Sequence, residues 1–238
     1  MMYAADLHIH TALSPCCDND MTPNNIVNMA YLKGLDIIAV TDHNSAGNIP
    51  AVMECAKSRG ILVVPGIEVE SREEVHILCY FPDLDTVIAM QRHVYEKLPY
   101  IKNRRDIFGE QYIMDENDEI TGCVVPLLLG AVDLGLEEIV HITETLGGAA
   151  VPAHVDRDAN SVISNLGMIP EEAGFKTVEL SKRCSREKRQ LIDNFIKGYE
   201  VIQSSDAHTL ADISEREFFL SLDRKDIASV IGFLKRIR

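Results

Sequence analysis

The sequence predicts an α/β fold in which a largely parallel sheet closes, or nearly closes, into a barrel. Two observations lead there. Short, continuously apolar strand-like runs alternate with capped helical segments, seven such strands in all. Histidine and carboxylate pairs recur just beyond the ends of those strands. Apolar strands separated by helices belong to sheets covered on both faces. Seven of them in a core of roughly 200 residues suggest a barrel, with an open doubly wound sheet as the alternative that periodicity alone leaves standing.

The elements follow in order. Tyr3 to His8 reads as a strand. Thr22 and Pro23 open a helix, a Thr N-cap with Pro at the first helical position, and Gly34 closes it. Asp36 to Thr41 is a short buried strand, Ile49 to Arg59 a helix, and Gly60 its stop. Ile61 to Glu68 and Val75 to Tyr80 are the third and fourth strands. Leu136 to Leu146 is a helix, followed by strands at Ala149 to His154 and Thr177 to Leu180. A helix at Glu187 to Ile196 precedes the last strand, Val201 to Ser205. Arg224 to Arg238 reads as a final amphipathic helix.

The rhythm breaks between Leu84 and Gly135, where a polar helix, the basic run Lys102-Asn103-Arg104-Arg105 and an acidic hairpin-like segment appear. We read 84–135 as an insertion or lid between the fourth and fifth strands, with 1–83 and 136–238 forming the barrel. A long insertion in a compact domain is commonly a substrate-selecting element.

The 238 residues suit one sizeable domain, and 46% apolar content can build its core. No apolar run reaches the ~20 residues of a membrane span. No secretory leader is visible, so a cytoplasmic location and six reduced, mostly buried cysteines are expected. A net charge of −14 disfavours broad adhesion to long nucleic acid. Bound divalent cations would offset part of it.

In Asp6-Leu7-His8-Ile9-His10, alternate side chains of an extended segment aim the same way, so His8 and His10 form a pair with Asp6 beneath. Such a carboxylate can accept a ligand's second ring N–H and fix its tautomer. Equivalent placements recur at Thr41-Asp42-His43, Glu68-Val69-Glu70, His154-Val155-Asp156 and Asp206-Ala207-His208, with His76 inside the fourth strand. Parallel barrel strands deliver their C-terminal ends to one face. Five such placements at one rim are hard to explain by packing and point to metal ligation. Imidazole and carboxylate donors suit zinc, manganese or iron. His93 and His141 fall on helices and read as ordinary residues. Cys16 and Cys17 read as loop cysteines, with Asp18 the better ligand candidate on that loop because hard oxygen matches the rest of the set. No nucleophile elbow or phosphate-binding P-loop is present, so a metal-bound hydroxide is the expected attacking group.

The ordered set DLHIHT (6–11), TDHN (41–44), GIEVE (66–70), His76, AHVDR (153–157) and SSDAH (204–208) resembles the polymerase and histidinol phosphatase (PHP) family of phosphoesterases. The resemblance implies a distorted (β/α)7 barrel and two or three metal ions. His8, His10, Glu68 and Asp206 would hold one ion; Glu68 would bridge to a second held by His76 and His154; His43 and His208 would help hold a third. Relatives often complete that third site with a His or Asp just after the first motif. Pro15 stands there in this chain and cannot ligate, which leaves Asp18 as the expected substitute. Asp206, His208 and His43 are the candidates for a direct catalytic role.

The expected activity is hydrolysis of a small phosphomonoester, a nucleotide or a short oligonucleotide phosphate. Arg157, Arg104 and Arg105 are the candidate phosphate-binding cations, with Lys182 and Arg183 behind them. Two other classes compete. Amidohydrolases also use HxH on a first barrel strand, but often need a bridging carboxylated lysine, and no Lys lies in the third or fourth strand. A non-catalytic module of a larger assembly would be expected to have lost ligands that this chain keeps.

Overall fold

The computed structural model describes residues 1–237. Its strands are β1 (Met2–Ile9), β2 (Ile37–Val40), β3 (Leu62–Glu70), β4 (His76–Tyr80), β5 (Tyr112–Met114), β6 (Ile120–Cys123), β7 (Ala149–Pro152), β8 (Thr177–Ser181), β9 (Glu200–Ser204) and β10 (Phe219–Ser221). Its helices are α1 (Pro23–Leu32), α2 (Ile49–Lys57), α3 (Leu84–Lys97), α4 (Arg105–Phe108), α5 (Leu136–Thr145), α6 (Val162–Leu166), α7 (Arg186–Ile196) and α8 (Ile227–Leu234). A curled six-stranded sheet runs β10-β1-β2-β3-β4-β7, and β8 and β9 pair separately in parallel. The two sheets meet where the Val155 N–H donates to the Glu179 carbonyl at 2.9 Å. They meet again where the His10 N–H donates to the Ala207 carbonyl at 3.0 Å.

Alternation along each strand sends successive apolar residues to opposite faces. Ile38, Val40, Val63, Ile77 and Cys79 join a large cluster under the helices. Ile37, Ala39, Val64, Leu78 and Tyr80 join a second cluster with α8. Thr22 caps α1 as its hydroxyl accepts from the Asn25 N–H, and Gly34 leaves that helix at φ +71°, a left-handed conformation that suits glycine.

Three expectations need correction. The sheet is not parallel throughout: β4 runs antiparallel to both β3 and β7. The Ser71–Val75 link is too short for a crossover helix, so the chain can only return as a hairpin. The final helix is shorter than 224–238. Asp226 caps it by accepting from the Ser229 N–H, and its Val230, Ile231 and Leu234 are buried in the second cluster. A strand not anticipated, β10, pairs antiparallel with β1.

Within 84–135, α3 buries Val87, Met90 and Val94 in the main core. The β5–β6 hairpin is stitched to the loops after β1 and β2. Asn48 donates to the Tyr112 carbonyl at 3.0 Å and accepts from the Met114 N–H at 2.9 Å. The Tyr112 N–H donates to the Ala12 carbonyl at 2.9 Å.

Gly148 joins α5 to β7 where the chain passes closest to β4. A Cβ there would lie 2.4 Å from the Tyr80 carbonyl oxygen and 3.0 Å from that of Thr143. Both are backbone atoms and cannot swing aside. Gly148→Ala is therefore expected to lower stability by about 1–3 kcal/mol, the usual range for overpacking. Denaturant unfolding checks this, and an unchanged midpoint would contradict the close approach.

Candidate metal centre

Every strand end on one rim contributes a polar side chain. The parallel strands β1, β3 and β9 carry His8, Glu68 and the Asp206–His208 segment to that rim, and β7 leads to His154. The reversed β4 reaches the same rim with its first residue, His76. Two of the deliveries use left-handed backbone: His154 at φ +30° and Asp206 at φ +51°. Such conformations cost of order 1–3 kcal/mol in a non-glycine residue and cluster at functional sites.

Glu68, 1% exposed, is the centre of the arrangement. Its Oε1 lies 3.0 Å from His76 Nδ1, 3.3 Å from His8 Nε2 and 3.5 Å from His154 Nε2. Its Oε2 lies 2.9 Å from His43 Nδ1 and 3.4 Å from His10 Nε2. Asp206 Oδ1 adds contacts of 3.2 Å to His8 Nε2 and 3.1 Å to His10 Nε2. Nitrogens also face nitrogens: His8 Nε2 and His10 Nε2 are 3.0 Å apart, and His154 Nε2 and His76 Nδ1 are 3.3 Å apart.

This geometry fits cations. Both Glu68 oxygens and His154 Nδ1 are buried without a hydrogen-bond partner. Buried polar atoms left unsatisfied are costly and rare. Three donor groups each gather within 4.8 Å: His8, His10 and Glu68; His43, Glu68 and His76; His10, His43 and His208. The first two share Glu68, whose two oxygens can serve two ions.

The electrostatics agree. Burial alone would raise Glu68, but His76, His8 and His43 override it and hold the carboxyl well below the usual range. Burial would likewise raise Asp206, and His8 and His10 hold it well below. Burial, with His208 and His43 nearby, lowers His10 to about 3. For His43, the Glu68 carboxylate overcomes burial and raises the imidazole well above its ordinary value.

A second layer orients the ligands. His8 Nδ1 lies 3.0 Å from Glu179 Oε2, which also accepts from the His154 N–H at 3.0 Å. Donation of the Nδ1 proton to Glu179 leaves Nε2 free to ligate. The expectation that Asp6 does this is corrected: Asp6 accepts from the Ser205 and Ser214 backbone N–H groups, at 3.0 and 2.8 Å, and braces the loop after β9. His10 Nδ1 lies 3.0 Å from Ser14 Oγ, whose own proton goes to Asp42 at 2.7 Å. His208 Nδ1 lies 2.9 Å from the Asp206 carbonyl.

Glu179 and Ser14 escaped the sequence reading. The signal for Glu179 was a single carboxylate inside the buried strand TVELS, a placement that demands a partner. Asp18 is not among the clustered donors. Its side chain is exposed, and its backbone N–H donates to the His208 carbonyl at 3.0 Å. Cys16 and Cys17 lie beside His208 instead, all three donor atoms within 4.8 Å. Arg157 Nη2 sits 2.5 Å from Asp206 Oδ2. A cleft of about 330 Å³ opens there, lined by Arg157, Lys182, Arg183, Asp206 and His208 among others. Arg104 pairs with Asp106 at 2.9 Å, and Arg105 with the half-buried Glu110 at 3.2 Å, on and beside α4. That segment touches the ligand loop: a Cβ on Gly109 would lie 2.3 Å from the Pro15 carbonyl oxygen.

Glu179→Ala is expected to weaken metal binding by about 10–100-fold, the usual effect of removing a group that orients a ligand. Competition with a chromophoric chelator measures it. Unchanged affinity would show that His8 needs no such orientation.

The PHP domain family model matches residues 6–233. A 5'-3' exoribonuclease of Haemophilus influenzae is 28% identical over 100 residues, 39% of this chain and 35% of the relative. A 3',5'-nucleoside bisphosphate phosphatase of Chromobacterium violaceum is 33% identical over 76 residues, 31% of this chain and 26% of the relative. A lesion-specific endonuclease from Pyrococcus furiosus superposes with a TM-score of 0.71 at 20% identity, covering 100% of this chain and 57% of that one. The chain thus spans under two thirds of the length of each of these proteins. With the family pattern extending over nearly all of the sequence, the chain belongs to the PHP domain family.

Proposed function

We propose that this chain is a metal-dependent phosphoesterase acting on a small phosphomonoester, a nucleotide or a short oligonucleotide phosphate. The observation that carries the reading is the Glu68 carboxylate, buried among five imidazoles with both oxygens unsatisfied by hydrogen bonds. Two or three divalent ions (zinc, manganese or iron) suit these donors. On this reading β1, β2, β3, β4, β7, β8 and β9 are the seven strands of a distorted barrel, and 84–135 is its substrate-facing elaboration.

Bound divalent ions supply charge that activates water and offsets the negative charge growing on a phosphoryl group. The chain's own groups do the rest. His8, His10, Glu68 and Asp206 would hold one ion, and Glu68, His76 and His154 would hold a second. His43 and His208 belong to a third. Asp206, His208 and His43 would act on the reacting group. His208, with 27% of its side chain exposed, faces the cleft. Arg157 has a half-exposed guanidinium anchored on Asp206, which presents its other N–H groups to phosphate oxygens. Lys182 and Arg183 add positive charge along the cleft. Arg104 and Arg105, on the segment that abuts Pro15, would contact a distal part of the substrate. The net charge of −14 favours a small or short substrate over non-specific adhesion to long duplexes. Among the described residues no helix is long and apolar enough to cross a membrane.

The relatives named as an exoribonuclease and a nucleoside bisphosphate phosphatase make nucleotides the first substrates to try. Phosphate release is measured with Mn²⁺ or Zn²⁺ across nucleotide mono- and bisphosphates, short oligonucleotides and p-nitrophenyl phosphate. Glu68→Gln is expected to lose activity on the order of a hundredfold or more, as on loss of a key electrostatic group. Replacing Arg104 and Arg105 by Ala should impair the best nucleotide substrate far more than p-nitrophenyl phosphate, which has no distal part. Near-normal turnover in Glu68→Gln, or no phosphate release from any substrate by metal-loaded protein, would overturn the proposal.

A further inference from the structure

The chain turns sharply after the first ligand pair. Ser14-Pro15-Cys16-Cys17 forms a turn closed by the Cys17 N–H donating to the Ser14 carbonyl at 2.9 Å, with Pro15 at the position that favours it. The turn is pinned at both ends. Ser14 Oγ donates to Asp42 at 2.7 Å and accepts from the His43 N–H at 3.1 Å. On the far side, the Asp18 N–H donates to the His208 carbonyl at 3.0 Å. Cys16, third in the turn, is thereby brought beside His208. Cys17 is half-buried and packs against the apolar core.

Two donor groups overlap here. His10, His43 and His208 bring three ring nitrogens within 4.8 Å of one another, and Cys16, Cys17 and His208 do the same with two sulfurs and a nitrogen. Ring centroids of His10 lie 4.4 Å from those of both His43 and His208. A four-coordinate ion with nitrogen at about 2.0–2.1 Å and sulfur at about 2.3 Å holds its donors roughly 3.5 Å apart. The spacing admits such an ion at the outer edge of the centre.

We propose that the Cys16 thiolate is a ligand of this outer ion, with His208 as the donor common to both groups, in the role the sequence had suggested for Asp18. This rests on reading the cluster as a metal centre, and it names a ligand and a metal preference. Sulfur beside imidazole favours zinc, iron or cobalt over manganese or magnesium. Cys16 is exposed whereas Glu68 is 1% exposed, so the outer ion exchanges with solvent more readily than ions bridged by Glu68. Two classes of metal position follow: an inner pair with oxygen and nitrogen donors, and an outer, softer one at the mouth of the cleft.

The test strips the full chain of metal and refills it stepwise with Co²⁺, recording bound metal and near-ultraviolet absorption. A thiolate-to-cobalt charge-transfer band is expected. Cys16→Ser should lose the band and bind one ion fewer, and Cys17→Ser should keep both. In unaltered protein, Zn²⁺ should slow alkylation of Cys16 by iodoacetamide about tenfold or more, because only a free thiolate attacks; peptide mass mapping reads this without any variant. Protein that binds cobalt without the band, or keeps the band in Cys16→Ser, overturns the thiolate ligand and leaves the inner pair standing. Protein that binds no cobalt overturns the metal centre itself, and this inference with it.

Discussion

One buried carboxylate faces five imidazoles. Glu68 lies within 3.5 Å of ring nitrogens from His8, His10, His43, His76 and His154, and neither of its oxygens accepts a hydrogen bond. In a low-dielectric interior such a carboxylate needs positive charge close by. Imidazolium can supply part of it: against burial, Glu179, Asp206 and Glu68 raise His8 well above its ordinary value, and Glu68 does the same for His43. The imidazoles cannot all be protonated, since they crowd one another, and His10 is driven the other way. Divalent cations answer both demands together: they neutralise the carboxylate and take the lone pairs that otherwise oppose each other.

The fold exists around that requirement. Strands that share a direction bring their ends to one rim, and the one reversed strand arrives at the same rim by its beginning. The ligands are then held by a second set of bonds. Glu179 ties His8 to the backbone of His154, joining β8 to β1 and to the segment after β7, and Ser14 with Asp42 couples His10 to His43. The strained backbone at His154 and Asp206 is kept by this network. The cleft of Arg157 and His208 opens beside the buried donors.

Much of this was legible in the sequence because the chemistry is written at strand ends. His8, His10, His43, Glu68, His76, His154, Asp206 and His208 are all brought together as spacing and resemblance suggested. What escaped has physical reasons. Hydrophobic runs carry no sign of direction, so β4 read as parallel; only its short link to β3 betrays the hairpin. Period-two alternation placed Asp6 beneath His8, yet the register shift in β1 between Asp6 and Ile9 and the loop after β9 give Asp6 different partners. The third-site loop failed for a similar reason. Matching by donor hardness chose Asp18, whereas the turn at Pro15 leaves the Asp18 side chain exposed and brings Cys16 and Cys17 beside His208. The final helix was overextended because its charged flanks continue the amphipathic pattern beyond the residues that pack.

The central claim is that Glu68 is shared between two divalent ions. Elemental analysis of the full chain, purified without chelator and then equilibrated with Zn²⁺ or Mn²⁺, tests it most directly when run beside Glu68→Gln. The account predicts at least two equivalents of metal in the unaltered protein and a loss of more than one in the variant, because a single side chain serves both positions. Less than about one equivalent in the unaltered protein, or a variant that keeps its full complement, would contradict it.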